Sequence, residues 1–167
     1  VKNLKLALVG LFTLLLITAC SSNVSNEDKV VSNDEFLKEF SSGLEKRWEY
    51  ADKNEDEATK DFLLEAIDLE LTSINEFKDL KFEDDKLKEL AISYINELKN
   101  GVEALDSFGT DSFYDKWDDH YNKRNAFLLE IDDAYEIPVS QKHIAIFDEL
   151  KAIGKEVINE SDKNDEL

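Results

Sequence analysis

Apolar side chains recur every three or four residues from Phe36 to Ile158, and this periodicity constrains the fold more than any other feature of the sequence. An α-helix with one buried face needs that spacing, whereas a half-buried strand needs apolar and polar residues in strict alternation. Runs of strict alternation are absent, and the chain has only one proline and five glycines to interrupt helices. The pattern therefore predicts an all-α protein.

Cap and turn residues divide the periodic region into five stretches. Ser32 and Glu35 form the pattern of a capping box, and Pro138 ends the fourth stretch. We expect the second helix to begin at the cap Asn54 and to run to about Leu80. The segments that open the five helices are Ser32, Asn54, Asp84–Asp85, Gly109–Asp111 and Ser140. Because short loops make consecutive helices antiparallel, we predict an up-and-down antiparallel bundle of about five helices.

An export signal is predicted ahead of the helical region. The first residues carry Lys2 and Lys5, and residues 6–17 form a run of twelve that is apolar except for Gly10 and Thr13. A membrane-spanning helix needs about 20 apolar residues, so this run is short for a permanent span. A basic start followed by a short apolar run and small residues is typical of a secretory signal peptide.

The apolar run ends in Ile17-Thr18-Ala19-Cys20, which resembles the lipobox of bacterial lipoproteins. The resemblance implies that the Cys20 thiol carries a diacylglyceryl group and that cleavage after Ala19 removes residues 1–19. Cys20 is the only cysteine of the chain, so the fold has no internal disulfide. Two alternatives remain: an uncleaved anchor, or a buried N-terminal helix in which Cys20 is a core residue.

Four segments follow from these patterns. Residues 1–19 are the predicted signal peptide, and residues 20–31 are a polar tether rich in Ser and Asn. Residues 32–160 form the predicted helical bundle domain, and residues 161–167 form an acidic tail. The expected location is the extracytoplasmic face of the cell membrane, where two acyl chains suffice for stable anchoring.

Positions within the helical region are similar to those of small uncharacterised Gram-positive lipoproteins. The positions that carry this resemblance are Gly43-Leu44, Arg47-Trp48, Phe82, Leu87, Leu90-Ala91, Tyr94-Ile95, Trp117 and Arg124. The resemblance implies a helical cell-surface domain and supplies no activity.

The charge of the chain excludes several classes of function. The sequence has 39 acidic and 20 basic residues, for a net charge of −19. Phosphate binding needs a basic surface, so the balance argues against a nucleic-acid partner and against polybasic contact with anionic lipid. A basic surface or extracellular protein is the partner that this charge favours.

Five polar residues fall within the apolar arcs of the predicted helices. They are Arg47, Glu70, His120, Arg124 and His143. In one interpretation Glu70 pairs with Arg47 or Arg124 and the histidines find hydrogen-bond partners, because a buried charge must be paired. In the other, the five line a pocket between helices and bind a small anion or polar ligand.

Motifs for catalysis and metal binding are missing from the sequence. Asp52-x-Asn54-x-Asp56 matches the opening of a calcium loop, but Glu57 and Leu63 replace the Gly and Glu that such a loop requires. The sequence contains no HExxH, no GxSxG and no glycine-rich phosphate loop. We therefore predict a non-enzymatic protein without a metal or cofactor. The leading hypothesis is a protein-binding module of the cell surface, and the alternative is a lipoprotein that binds or senses a small ligand.

Overall fold

A computed structural model of the chain describes residues 29–54 and 58–165. Five α-helices lie in these ranges, together with one pair of two-residue strands. In chain order the elements are β1 (Val30–Val31), α1 (Asn33–Lys53), α2 (Lys60–Ile74), β2 (Lys81–Phe82), α3 (Asp85–Ala104), α4 (Asp111–Tyr135) and α5 (Ile144–Asp165). Short 3-10 helices cover Asn75–Asp79, Leu105–Ser107 and Gln141–His143. The predicted all-α helical bundle is confirmed.

Consecutive helices pack against each other along most of the bundle. The most extensive contacts join α1 to α2, α3 to α4 and α4 to α5. Their inward faces form one core rich in aromatic residues, in which Phe36, Phe40 and Tyr94 are fully buried. Phe40 and Tyr94 meet edge to face, with ring centroids 4.7 Å apart.

Helix starts follow local capping chemistry. Ser32 Oγ accepts a hydrogen bond from the backbone N–H of Glu35 at 3.2 Å, as the capping box predicts. Asp84 Oδ1 accepts from the N–H groups of Lys86 and Leu87 at 2.8 and 3.2 Å, so this side chain opens α3.

The start of α2 differs from the prediction. Thr59 is its cap, with Oγ1 accepting from the N–H of Phe62 at 3.2 Å. Asn54 instead closes α1, because its Nδ2 donates to the carbonyl of Tyr50 at 2.8 Å and its N–H donates to Ala51 at 3.1 Å. A polar residue between two helices can cap either one, and here it serves the first.

The end of α2 and the end of the tether also differ from the prediction. The α-helix stops at Ile74, and a 3-10 helix over Asn75–Asp79 continues the helical run almost to the predicted end at Leu80 before the chain enters β2. β2 pairs in parallel with β1, so that Val31 lies opposite Phe82. Val31 is fully buried, so it belongs to the core although the sequence assigns it to the tether.

The last helix extends beyond the predicted end of the domain. Helix α5 continues to Asp165, five residues into the predicted acidic tail. The predicted signal peptide, Cys20 and the tether up to residue 28 lie outside the described residues. Among the helices that the structure describes, none has both the length and the apolar character needed to cross a membrane.

Candidate functional site

The most unusual feature of the core is a buried carboxylate. Glu70 faces inward from the middle of α2 and is 0% exposed. Arg47 of α1, Tyr94 of α3 and Arg124 of α4 converge on it, so the cluster joins four helices. We refer to Glu70, Arg47, Tyr94 and Arg124 as the buried cluster.

Both oxygens of Glu70 are occupied. Arg124 makes a two-pronged contact: its Nη2 donates to Oε1 at 2.8 Å and to Oε2 at 3.0 Å, and its Nε donates to Oε1 at 3.2 Å. Arg47 Nη1 donates to Oε2 at 2.7 Å, and the Tyr94 hydroxyl donates to Oε1. A carboxylate has about four lone-pair sites, and five donor contacts use this capacity in full. No bonding capacity of Glu70 remains for a ligand.

Arg124 is the other fully enclosed charge of the cluster. Arg124 is 1% exposed to solvent. Its Nη1, which does not bond to Glu70, donates to Asn125 Oδ1 at 2.8 Å. Its guanidinium carbon lies 5.4 Å from the centroid of the Tyr94 ring, which adds a cation–π contact. The fixed fork of arginine suits such a position, because one side chain satisfies several acceptors at once.

The pKa of Glu70 shows which effect prevails in the cluster. Burial is the largest influence and raises the pKa, but the charges of Arg124 and Arg47 and the donated hydrogen bonds outweigh it. The result is a pKa lowered from 4.5 to about 2. Burial also raises the pKa of Tyr94 well above 10.0, so its hydroxyl keeps the proton that it donates to Glu70. The cluster is therefore a stable ion pair rather than a site poised for proton transfer.

His120 lies next to the cluster on α4 but is not bonded to it. Burial lowers its pKa from 6.5 to about 4, and the positive charges of Arg124 and Arg47 add to this effect. Neither ring nitrogen has a hydrogen-bond partner of normal geometry within the described part of the chain, although the backbone of Glu97 partly offsets the lowered pKa. The ring packs against α3 at Gly101, where an added Cβ would lie 2.5 Å from Nε2. His120 is thus a neutral core residue at neutral pH.

His143 stands apart from the other four candidates. It precedes α5 and is buried beside Trp48, with ring centroids 5.5 Å apart. Its Nδ1 lies 3.3 Å from Ser140 Oγ and 3.8 Å from Glu45 Oε2. The predicted five-residue pocket is therefore not one site: the structure joins Arg47, Glu70 and Arg124, sets His120 beside them and places His143 elsewhere.

Two residues that bond to Glu70 or Arg124 were missing from the prediction. Tyr94 lies at an apolar position of α3, and the sequence around it does not indicate that its hydroxyl contacts a carboxylate. Asn125 is fully buried at the contact between α4 and α5, where its side chain accepts from Arg124. The neighbouring buried charge was the only sequence feature that could have pointed to Asn125, since a buried arginine needs several acceptors.

An open groove of about 670 Å³ lies between the end of α3 and α4, and it includes His120 in its lining. Asn100 and Glu103 line it from α3, and Lys116 and Asp119 from α4. Within the described ranges, the His, Asp and Glu side chains do not gather in a group of three that could hold a metal ion.

Comparisons with known proteins give no relative of this chain: no family model, no curated protein and no solved structure matches it.

Proposed function

We propose that this chain is a non-enzymatic, lipid-anchored protein of the extracytoplasmic membrane face, and that it binds a basic surface or extracellular protein. The observation that carries the proposal is the division of polar groups between the interior and the surface. Inside, the charges of Glu70 and Arg124 are paired with each other within the cluster that joins four helices. Outside, a helical surface with a large excess of acidic side chains is available to a cationic partner.

The anchoring part of the proposal rests on the lipobox-like sequence that ends at Cys20. Ten residues lead from Cys20 to Val30, where the chain enters the fold by pairing with β2. Ten residues span at most about 36 Å, so an anchor at Cys20 would hold β1 and β2 close to the membrane.

Substitution of the proposed lipid-bearing residue tests the anchor. We expect Cys20→Ser in the full chain, expressed in a Gram-positive host, to abolish incorporation of labelled palmitate and to leave the precursor uncleaved or release the protein. Ser21→Ala is the matched control, because it changes the neighbouring residue and leaves the thiol. Unchanged labelling and membrane retention of Cys20→Ser would refute the anchor.

Capture of a partner tests the binding part of the proposal. The full chain, immobilised in non-ionic detergent, is exposed to cell-surface extract and culture medium without cross-linking, and bound proteins are identified after elution in steps of increasing salt. We expect a stoichiometric basic protein whose retention falls steeply with salt, because exposed charges are screened beyond about 8 Å at physiological ionic strength. The absence of any reproducible partner, or a partner that salt does not release, would count against the proposal.

Small-ligand binding is a second candidate, favoured by the groove that His120 lines. Its walls combine carboxylates, a lysine and an amide, which suits a small polar molecule better than an apolar one. We expect such a ligand to raise the melting temperature of the full chain, and Asn100→Ala to cancel the rise without lowering the basal melting temperature. A thermal-shift screen without a hit that depends on Asn100 would exclude this groove.

A further inference from the structure

Aromatic side chains reach the surface at one end of the bundle, where α3 ends and α4 begins. Tyr114 is 67% exposed and Phe108 is 37% exposed, while Trp117 is half-buried. All three surround the buried Phe113 ring, whose centroid is 5.0 Å from Phe108, 5.4 Å from Tyr114 and 5.6 Å from Trp117. We name Phe108, Phe113, Tyr114 and Trp117 the aromatic end. Single exposed apolar residues are common, but a contiguous exposed group marks an interaction site.

Carboxylates flank the aromatic end on the outward face of α4. Asp111, Tyr114, Asp115 and Asp118 are all exposed and follow the spacing of one helical stripe. Within residues 111–119 the sequence carries four aspartates and one lysine, Lys116. The stripe therefore places an aromatic ring among three negative charges.

This combination fits one kind of chemistry. The faces of Tyr and Trp rings attract cations, and arginine in particular stacks on them while its fork pairs with carboxylates. An acidic partner would be repelled by the stripe. We propose that the aromatic end and its aspartate stripe dock an arginine-rich segment of a partner protein. This rests on the proposed function, since it names the surface that the basic partner would contact.

The position of the aromatic end agrees with this role. β2 precedes the first residue of α3, and the aromatic end follows the last, so the 20 residues of that helix separate them. At 1.5 Å per residue the separation is about 30 Å. The aromatic end therefore lies at the end of the bundle away from the point where the chain from Cys20 enters the fold, so an anchor at Cys20 would leave it accessible to a partner.

A peptide of nine arginines, fluorescently labelled, is the probe for this surface. Its affinity for the full chain in non-ionic detergent micelles is measured by anisotropy at physiological salt. We expect Tyr114→Ala to weaken binding about fivefold, the value for loss of one exposed cation–π contact. Tyr114→Phe keeps the ring and should retain the affinity. Tyr114 is largely exposed, so far-UV circular dichroism should show these variants folded like the parent chain.

A matched pair of charge variants separates the stripe from the general acidity of the surface. Asp111→Asn, Asp115→Asn and Asp118→Asn together should weaken binding about tenfold, as expected for three local ion pairs. The control is Glu89→Gln, Glu130→Gln and Asp133→Asn, which removes the same charge from exposed positions. Glu130 lies twelve residues beyond Asp118 on α4, about 18 Å away and outside the screening length. The control should weaken binding less than about twofold.

Three results would overturn the proposal. Equal losses in the two charge variants would show that the peptide responds only to overall charge. Full affinity in Tyr114→Ala would remove the aromatic end from the contact. Complete competition by millimolar tetramethylammonium would assign the surface to a small organic cation rather than to a peptide. None of these results bears on a partner captured from surface extract, whose contact can lie elsewhere on the chain, so the inference and the proposed function fail separately.

Discussion

Replacing Glu70 by glutamine should destabilise the whole domain. The substitution keeps the size of the side chain and removes the carboxylate to which Arg124 donates three hydrogen bonds. Arg124 is 1% exposed and cannot reach water, so its charge would remain in the core without an opposite charge. An uncompensated buried charge is among the few single changes that cost several kcal/mol.

The expected loss follows from the cost of breaking a buried ion pair, and the lowered pKa of Glu70 has the same sign. Breaking a buried ion pair by removing one partner costs about 3–5 kcal/mol. The pKa of Glu70, lowered from 4.5 to about 2, corresponds to about 3 kcal/mol of stabilisation at neutral pH, at about 1.4 kcal/mol for each unit. Since small domains have a free energy of unfolding of about 5–15 kcal/mol, the variant should lose a large part of its stability.

Urea denaturation followed by tryptophan fluorescence measures this loss. Trp48 is buried and Trp117 is half-buried, so both report on the folded core. Glu65→Gln is the matched control, because it makes the same chemical change on an exposed face of α2. The control should remain within about 0.5 kcal/mol of the parent chain. Glu70→Leu combined with Arg47→Met and Arg124→Met should recover much of the loss, because the triple variant leaves no unpaired charge in the buried cluster.

The pH dependence provides a second test of the same reasoning. In the folded state Glu70 stays ionised down to about pH 2, whereas its ordinary pKa is 4.5. Its contribution is therefore complete above about pH 4.5 and is lost as the pH falls through the folded pKa. The difference between parent and Glu70→Gln should shrink over that window. A Glu70→Gln variant that is as stable as the Glu65→Gln control at pH 7 would refute the assigned role of the buried cluster.

Two further perturbations test neighbouring parts of the core. The pKa of His120 in the folded chain is lowered from 6.5 to about 4, so the unfolded chain takes up the proton first and the free energy of unfolding falls as the pH drops from 6.5 to 4. Between pH 7.5 and 5, urea titrations should show that His120→Leu loses about 2 kcal/mol less of this free energy than the parent chain. Equal losses would contradict a neutral His120. Gly154→Ala would place a Cβ 2.7 Å from the carbonyl carbon of Asn125. This clash should lower the free energy of unfolding by about 1–3 kcal/mol, although alanine has the better helix propensity. An unchanged or raised melting temperature would show that α4 and α5 can separate at little cost.

Helical periodicity was sufficient to predict the fold class and the faces of the helices. Arg124, Glu70 and His120 lie on inward faces because their positions fall within the apolar arcs, and the structure buries all three. The starts of α3 and α4 were also predictable, since Asp84 and Gly109–Asp111 are strong local signals. These features depend on residues within one or two helical turns, which is the range over which a sequence pattern is informative.

Pairing between helices was only partly predictable. The sequence required Glu70 to have a basic partner but left Arg47 and Arg124 as alternatives, and the structure uses both. The choice depends on how four helices are arranged around one point, and periodicity does not encode that arrangement. The hydrogen bond of the Tyr94 hydroxyl to Glu70 was not predictable for a related reason. A tyrosine at a core position follows the apolar pattern whether or not its hydroxyl has a buried partner.

The strand pair was not predicted, because its strands are too short to produce a recognisable sequence pattern. β1 and β2 have two residues each, too short to display alternation, and they are stabilised by contacts between distant parts of the chain. The N–H of Glu83 donates to the carbonyl of Val31 at 3.0 Å, and its Oε1 accepts from the N–H of Asn33 at 3.0 Å. Such contacts join residues about 50 positions apart in the chain, beyond the range of a local pattern, so the sequence assigns Val30 and Val31 to the tether.

The arrangement of the buried cluster explains why one carboxylate should matter to the whole domain. Arg47, Glu70, Tyr94 and Arg124 come from four different helices, and every bond between them passes through Glu70 or its partner Arg124. Helix α5 lies outside the cluster. It is attached to α4 by its close approach at Gly154 and by the ion pair of Lys151 with Asp132 at 2.9 Å. Loss of the Glu70 charge therefore weakens the contacts among α1 to α4 directly, and it weakens α5 through the helix on which it packs.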